Sequence, residues 1–221
     1  MKKPFATAFW TALAATSLAP NAARANLDSR AWFEAGGRLE IDPIFQVDLD
    51  QHLRLDNGMA RIDQLRTEVQ PELEVLEWLS VHVGYMFIYV PHRRDSYEHR
   101  FTLGTAFEAR FEPIRLDYRL RYQLEVGREQ EYQHISRHRG RVRWRATEDF
   151  TPFTSIEAFI GHDGPSPFEL DAWRLVLGTE YELGDHSIAL FGAYEHEGKN
   201  QSFIVGLDYQ FTVSLDPSDA E

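Results

Sequence analysis

His134 and Ser136 are the two residues of this chain whose types and spacing could do covalent chemistry. In a β-strand, positions i and i+2 share a face. A histidine there can draw the proton from a serine hydroxyl as the oxygen attacks an acyl ester, the chemistry of lipid hydrolases. In those hydrolases an acid or amide orients the imidazole. Glu148 closes the same segment, but strand rise puts it about 40 Å from His134, too far to serve. The chain has nine histidines, so one His-x-Ser triplet is expected by chance. The two residues therefore stand only as candidates for a deacylase-like hydrolase, and the chain is read as a non-enzyme. His186 and Ser187 are adjacent, so in a strand they point to opposite faces. His92, His134, His138, His162 and His196, with His162-Asp163 and Glu195-His196-Glu197, offer metal-ligand types without a complete spacing motif. No metal and no cofactor is expected.

The larger chemical signal is ionic. Between 114 and 126, Ile114, Leu116, Tyr118, Leu120, Tyr122, Leu124 and Val126 alternate with Arg115, Asp117, Arg119, Arg121, Gln123 and Glu125. A period of two is a strand with one oily face and one charged face. The same charged face collects Glu68, Glu72 and Glu74, then Arg100, Glu108 and Arg110, then Arg141, Arg143 and Arg145 of the stretch RVRWR. Glu157, Arg174, Glu180, Glu182, Glu195 and Asp208 complete it. If these faces turn inward they form a lumen of interlocked ion pairs, where the planar fork of arginine can hold two carboxylates at once. Such a set either fills a narrow barrel or lines a path for anions.

The elements that must position these residues are eleven alternating segments: 32–41, 44–55, 61–75, 79–90, 98–111, 114–126, 137–147, 152–161, 171–183, 186–196 and 202–211. Most reach the length a tilted strand needs to cross a bilayer. Aromatics cluster near their ends, as interfacial girdles require. Short connections (76–78, Glu112-Pro113, 148–151, Gly184-Asp185) alternate with longer polar ones (91–97, 127–136, 162–170, 197–201), as periplasmic turns alternate with outer loops. Bacterial single-chain barrels usually have an even strand number. The expectation is therefore an all-β, antiparallel, up-and-down transmembrane barrel of about ten strands over 26–211. Twelve is the runner-up, and 26–43 is a plug or an extra strand.

The N-terminus reads as a secretory signal peptide over 1–25. Lys2 and Lys3 precede an acid-free apolar run from Phe5 to Leu18, and Ala23-Arg24-Ala25 supplies the cleavage signal. The mature chain then holds 20 basic against 35 acidic residues, a net charge of −15. That excess excludes nucleic acid as a partner. Cysteine is absent, so no disulfide framework supports the fold. Residues 212–221 are acidic and contain a proline, and are expected to be a disordered tail.

The stretches RLDYRLRYQLE, RVRWRATEDFTPFTSIEAFIGHD and WRLVLGTEYELGDHSIALFGAYEHE, closing on FIVGLDYQF, resemble the bacterial domain-of-unknown-function family 2490. The likeness covers roughly 32–211. It lies in the Arg-x-Arg-aromatic-Arg strand, Glu157 and Phe159 of the next strand, the Trp-Arg strand and the aromatic C-terminal strand. The resemblance implies a secreted, porin-like outer-membrane β-barrel of a Gram-negative bacterium, and no activity or catalytic residue. Outer-membrane lipid and the barrel-assembly machinery are the partners expected of such a protein. Its role would be structural, surface-binding or that of a narrow channel. The alternatives are a lipid-modifying hydrolase in the same barrel and a soluble periplasmic barrel with its oily face turned inward on a hydrophobic ligand.

Overall fold

The computed structural model describes residues 27–92, 97–127, 132–163 and 168–215. The proposed signal peptide and the last residues of the acidic tail lie outside them. Eleven strands follow one another: β1 (Leu27–Asp42), β2 (Phe45–Asp56), β3 (Arg61–Leu76), β4 (Leu79–Tyr89), β5 (Tyr97–Phe111), β6 (Ile114–Val126), β7 (Tyr132–Trp144), β8 (Phe150–Gly161), β9 (Glu169–Leu183), β10 (His186–Glu197) and β11 (Asn200–Ser214). Each pairs with its neighbours in the chain, and β1 pairs with β11 to close the barrel.

This corrects the expected strand number. Residues 27–42 are a wall strand, and the total is neither ten nor twelve. When neighbours alternate in direction, an odd number leaves the first and last strands parallel. The β1–β11 seam is parallel, from Leu27 opposite Gln201 to Glu40 opposite Ser214. Parallel pairing is slightly weaker per residue, but it leaves no open edge. The same seam draws 212–214 into β11, so the tail begins later than its polarity suggests. β7 also differs from the expected 137–147: it starts at Tyr132 and stops at Trp144. Polar His134, Ser136 and His138 occupy positions where apolar residues would have marked the outer face.

The turns follow from local chemistry. Between β1 and β2, the Asp42 carboxylate accepts the Ile44 N–H at 2.9 Å across Pro43. Between β2 and β3, Asn57, Gly58 and Met59 take positive φ, and an Asp56–Arg61 ion pair ties the turn. Gly184 supplies the left-handed residue at the β9–β10 turn, a conformation that costs glycine little.

The barrel is inside out relative to a water-soluble core. Leu103, Ile156 and Leu177 are 61%, 59% and 62% exposed on the outer wall. Among the described residues, only Ala31, Met86, Ile88, Val90, Ala193 and Ile204 are buried apolar residues. Twice as many polar or charged residues are buried, Glu68, Glu157, Arg174 and Glu195 among them. Tyr118 is exposed on the outer wall, whereas Arg121 reaches across the interior to Gln70 at 2.8 Å. The soluble alternative needs the opposite orientation of the two faces. Trp78, Phe111, Trp144, Phe150 and Phe211 ring the short-turn rim, and Tyr89, Tyr97, Tyr132, Phe168 and Trp173 ring the other.

Inward glycines make room for large inner side chains. A Cβ at Gly206 would lie 1.9 Å from the Phe191 ring. At Gly178 it would lie 2.7 Å from the Leu190 carbonyl oxygen and 2.8 Å from the Phe191 Cβ, contacts that backbone fixes in place. Overpacking of this kind costs about 1–3 kcal/mol. Gly178→Val should therefore lower the urea midpoint at which the detergent-solubilised barrel loses its folded mobility on unboiled gels. Gly37→Ala, with nothing within 4 Å of the added carbon, should leave the midpoint unchanged.

Candidate functional site

Strand alternation aims the charged residues into a space roughly 22 Å across between backbones, estimated from the 4.8 Å strand spacing and a tilt near 40°. Side chains from opposite walls meet within it. In the half nearer the long loops a continuous chain of ion pairs runs over β1, β10, β9, β8 and β7. Arg30 Nη1 donates to Glu195 Oε1 at 2.9 Å. Arg174 bridges Glu195 and Glu157, with Nε 3.0 Å from Glu195 Oε2 and Nη1 2.7 Å from Glu157 Oε2. Arg137 Nη2 closes on Glu157 Oε1 at 2.7 Å. The Trp32 ring lies between two guanidinium groups, Arg54 at 4.0 Å and Arg174 at 4.5 Å. Phe159 lies against Arg137 and Arg174. Each cation thus has a carboxylate or an aromatic face in exchange for water.

The opposite wall joins the same layer. His52 lies 2.9 Å from Glu34 and 3.7 Å from Glu68. Arg121, on β6, donates to Gln70 and lies 4.0 Å from Glu68, both on β3. Two strands separate β3 from β6, so these contacts pass through the lumen. Gly84 and Gly104, on the intervening strands, leave the space. A Cβ at Gly84 would touch Glu68, and one at Gly104 would meet His82 at 2.4 Å.

The half nearer the short turns is looser. Arg38 binds Asp48 in a fork at 2.8 and 3.2 Å. Arg141 bonds Glu180 at 3.1 Å and lies 3.9 Å over the Phe153 ring. Arg143 reaches Asp117 at 2.9 Å and Glu108 at 3.6 Å. Between these pairs lies a cavity of about 340 Å³, bordered by Glu72, Asp117, Arg119, Arg139, Arg141 and Asp208. It reaches the rim at Glu77 and Trp78.

The predicted charged residues are distributed as follows. Glu68, Glu72, Arg119 and Arg121 meet across the lumen. Arg100 pairs with Glu125 at 2.6 Å. Glu108 gathers Arg110, Arg115 and Arg143. Glu157, Arg174 and Glu195 form the central bridge, and Asp208 faces the cavity. Arg145 departs from the set. It follows the end of β7 and pairs at 3.7 Å with Glu112, both side chains largely exposed at the short-turn rim. Sequence reading missed Arg30, Trp32, Arg38, Asp48, His52, Arg54 and Arg137. The alternation was present in 30–40, but small Ala31, Ala35 and Gly37 thin its oily face. At Arg137, polar residues on both faces hid it.

His134 and Ser136 share the outer face, as their spacing requires, but they are not partners. His134 Nδ1 meets the Tyr122 hydroxyl at 2.5 Å, and Ser136 Oγ meets His162 Nε2 at 2.7 Å. His138 pairs with Tyr118 and His196 lies against Trp173. Among the described residues no group of three or more His, Asp or Glu is placed to hold a metal.

A family model described as "Protein of unknown function (DUF2490)" matches residues 29–212. No curated protein matches the chain. A solved structure titled as the NanC porin in a rhombohedral crystal form is similar at 13% identity, over 76% of this chain and 87% of that one, with a TM-score of 0.48.

Removing one member of a buried pair leaves the other charged and unsolvated, at a cost of about 3–5 kcal/mol. Arg174→Met leaves Glu157 to Arg137 alone and Glu195 to Arg30 alone, and should lower the barrel's urea midpoint far more than Arg145→Met. Glu157→Gln, which takes the carboxylate from Arg137 and one of two from Arg174, should lower it as well, measured by the same gel assay.

Proposed function

The chain belongs to the DUF2490 family of proteins of unknown function, and from that premise we propose an outer-membrane β-barrel whose lumen is sealed by ion pairs and whose role is structural or surface-binding. One observation carries the membrane assignment: an apolar outer face runs round the barrel between two aromatic rims, interrupted on β7 by His134, Ser136 and His138. Water-soluble monomers rarely expose contiguous apolar patches beyond a few hundred Å², and this belt far exceeds that. A bilayer is the solvent that such a surface matches. Closure also supports the reading, because a spanning sheet must leave no unpaired edge in hydrocarbon.

The sealed lumen argues against an open pore. The bridge Arg30–Glu195–Arg174–Glu157–Arg137, packed on Trp32, occupies the long-loop half of the barrel, Arg121 spans the lumen to Gln70 and Glu68, and the 340 Å³ cavity reaches the rim on the short-turn side. A permeating ion would have to break pairs that have little water to replace them. The cavity has balanced charge on its walls, which favours neither sign of solute.

The expected result is that the full chain fractionates with outer membranes, migrates faster unboiled than boiled, and passes no resolvable steady current in planar bilayers. Trp32→Ala, which removes the packed ring from the seal, should introduce transient openings. A stable ohmic conductance in the wild type would overturn the sealed-lumen reading, and a chain recovered in the soluble fraction would overturn the membrane reading.

A further inference from the structure

Ser136 and His162 take no part in the ion-paired lumen. They lie on the outer wall, close to the long-loop rim. Ser136 faces Ile160 in the β7–β8 register, and β8 ends at Gly161. His162 therefore leaves the strand end, and its ring folds back onto the outer face with Nε2 2.7 Å from Ser136 Oγ. Several contacts hold it there. The His162 backbone N–H donates to the His134 carbonyl at 3.0 Å. Its ring meets Phe168 edge-on at 5.3 Å and lies 6.2 Å from Tyr122. The neighbouring Asp163 carboxylate accepts the His134 backbone N–H and pins the turn to β7.

Four other histidines on the outer wall bond a phenol: His99 with Tyr85, His138 with Tyr118, His134 with Tyr122 and His186 with Tyr209. His162 alone in this described set bonds an alkyl hydroxyl, the type that an adjacent imidazole can turn into a nucleophile. Its depth matches as well. Tyr132, Phe168 and Trp173 mark this rim as the membrane–water interface, the level at which the ester groups of acylated lipids lie.

We propose that Ser136 and His162 are a catalytic pair that hydrolyses ester-linked acyl chains of lipids in the leaflet at the long-loop rim. This rests on the membrane reading above. As Ser136 Oγ bonds to the ester carbonyl carbon, His162 Nε2 takes its proton. The bond from that carbon to the lipid alcohol oxygen then breaks, and the proton passes to the leaving oxygen. Water, deprotonated by His162, attacks the acyl-serine, releases the free acid and restores Ser136. Ester and water become alcohol and acid with no redox or metal partner. The pairing of Ser136 with His162 takes the place of the sequence pairing with His134. Acyl esters occur on glycerophospholipids and on acylated sugar lipids, and the chemistry is common to both.

The test uses the full chain in detergent, as wild type, Ser136→Ala and His162→Gln, each checked for heat-modifiable migration. Each is incubated with glycerophospholipid micelles and separately with purified lipopolysaccharide, followed by mass spectrometry of free fatty acid and deacylated lipid. A fluorophosphonate probe reports a reactive serine. Wild type should release fatty acid from one of the two lipids and take the probe, which identifies the substrate. Ser136→Ala should do neither, and His162→Gln should be slowed by about 100-fold, the scale of a lost general base. A folded wild-type barrel that releases no more fatty acid than Ser136→Ala from either lipid overturns this inference and leaves the sealed barrel standing. A chain that is soluble and insensitive to heating overturns both.

Discussion

A carboxylate inside a closed barrel has few ways to avoid the cost of losing water, and this molecule is arranged around the commonest of them. Glu157 and Glu195 are nearly inaccessible, so each must receive hydrogen bonds from fixed donors. Arg174 supplies them to both, because a guanidinium presents several N–H groups in one plane. Arg30 and Arg137 then satisfy the remaining lone pairs. Five strands are tied at one level by these contacts, and a register slip of a single residue in any of them would turn its arginine or glutamate to the oily wall. The same bridge places its side chains in the lumen, so wall register and the proposed seal have one physical cause.

Closure imposes a second constraint. An alternating sheet of eleven strands can meet itself only in parallel, and β1 and β11 do so over most of their lengths. Strand number thus follows from what β1 carries rather than from a parity rule. Arg30, Trp32 and Arg38 on β1 are needed by Glu195, Arg174 and Asp48 on other strands. Without β1 in the wall, Asp48 would lose its arginine, and Glu195 and Arg174 would each lose one of their partners. A plug made of 26–43 would break a network that the wall completes.

Much of the fold was legible because a closed barrel with a charged interior keeps strict alternation wherever its outer face is apolar. The segments 79–90, 98–111, 114–126 and 202–211 fall within a residue or three of the observed strands, and which face turns inward followed from their charge. Alternation failed where the outer face carries polar or small residues. Ala31, Ala35 and Gly37 obscured β1, and His134, Ser136 and His138 obscured the first half of β7. The candidate site was only half legible for a related reason. Spacing can place His134 and Ser136 on one face, but it does not make them partners, because His134 meets Tyr122 and Ser136 meets His162 instead. The partner comes from a neighbouring strand or the loop beside it, and nothing in the sequence announces that His162 folds back.

Those polar outer residues obey a common rule. A hydrogen-bonding group turned toward hydrocarbon is costly unless it is satisfied locally. Each Tyr–His pair meets that rule by joining adjacent strands through side chains alone, burying one polar tip of each ring in the other. Such a pair is self-sufficient, because the phenol and the imidazole satisfy each other in the resting molecule. A serine bonded to an imidazole satisfies the same rule with a smaller group. Its alkyl hydroxyl is the type that an adjacent imidazole can turn into a nucleophile. In the proposed hydrolysis, the device that makes polar residues tolerable on the outer wall also supplies the nucleophile at Ser136.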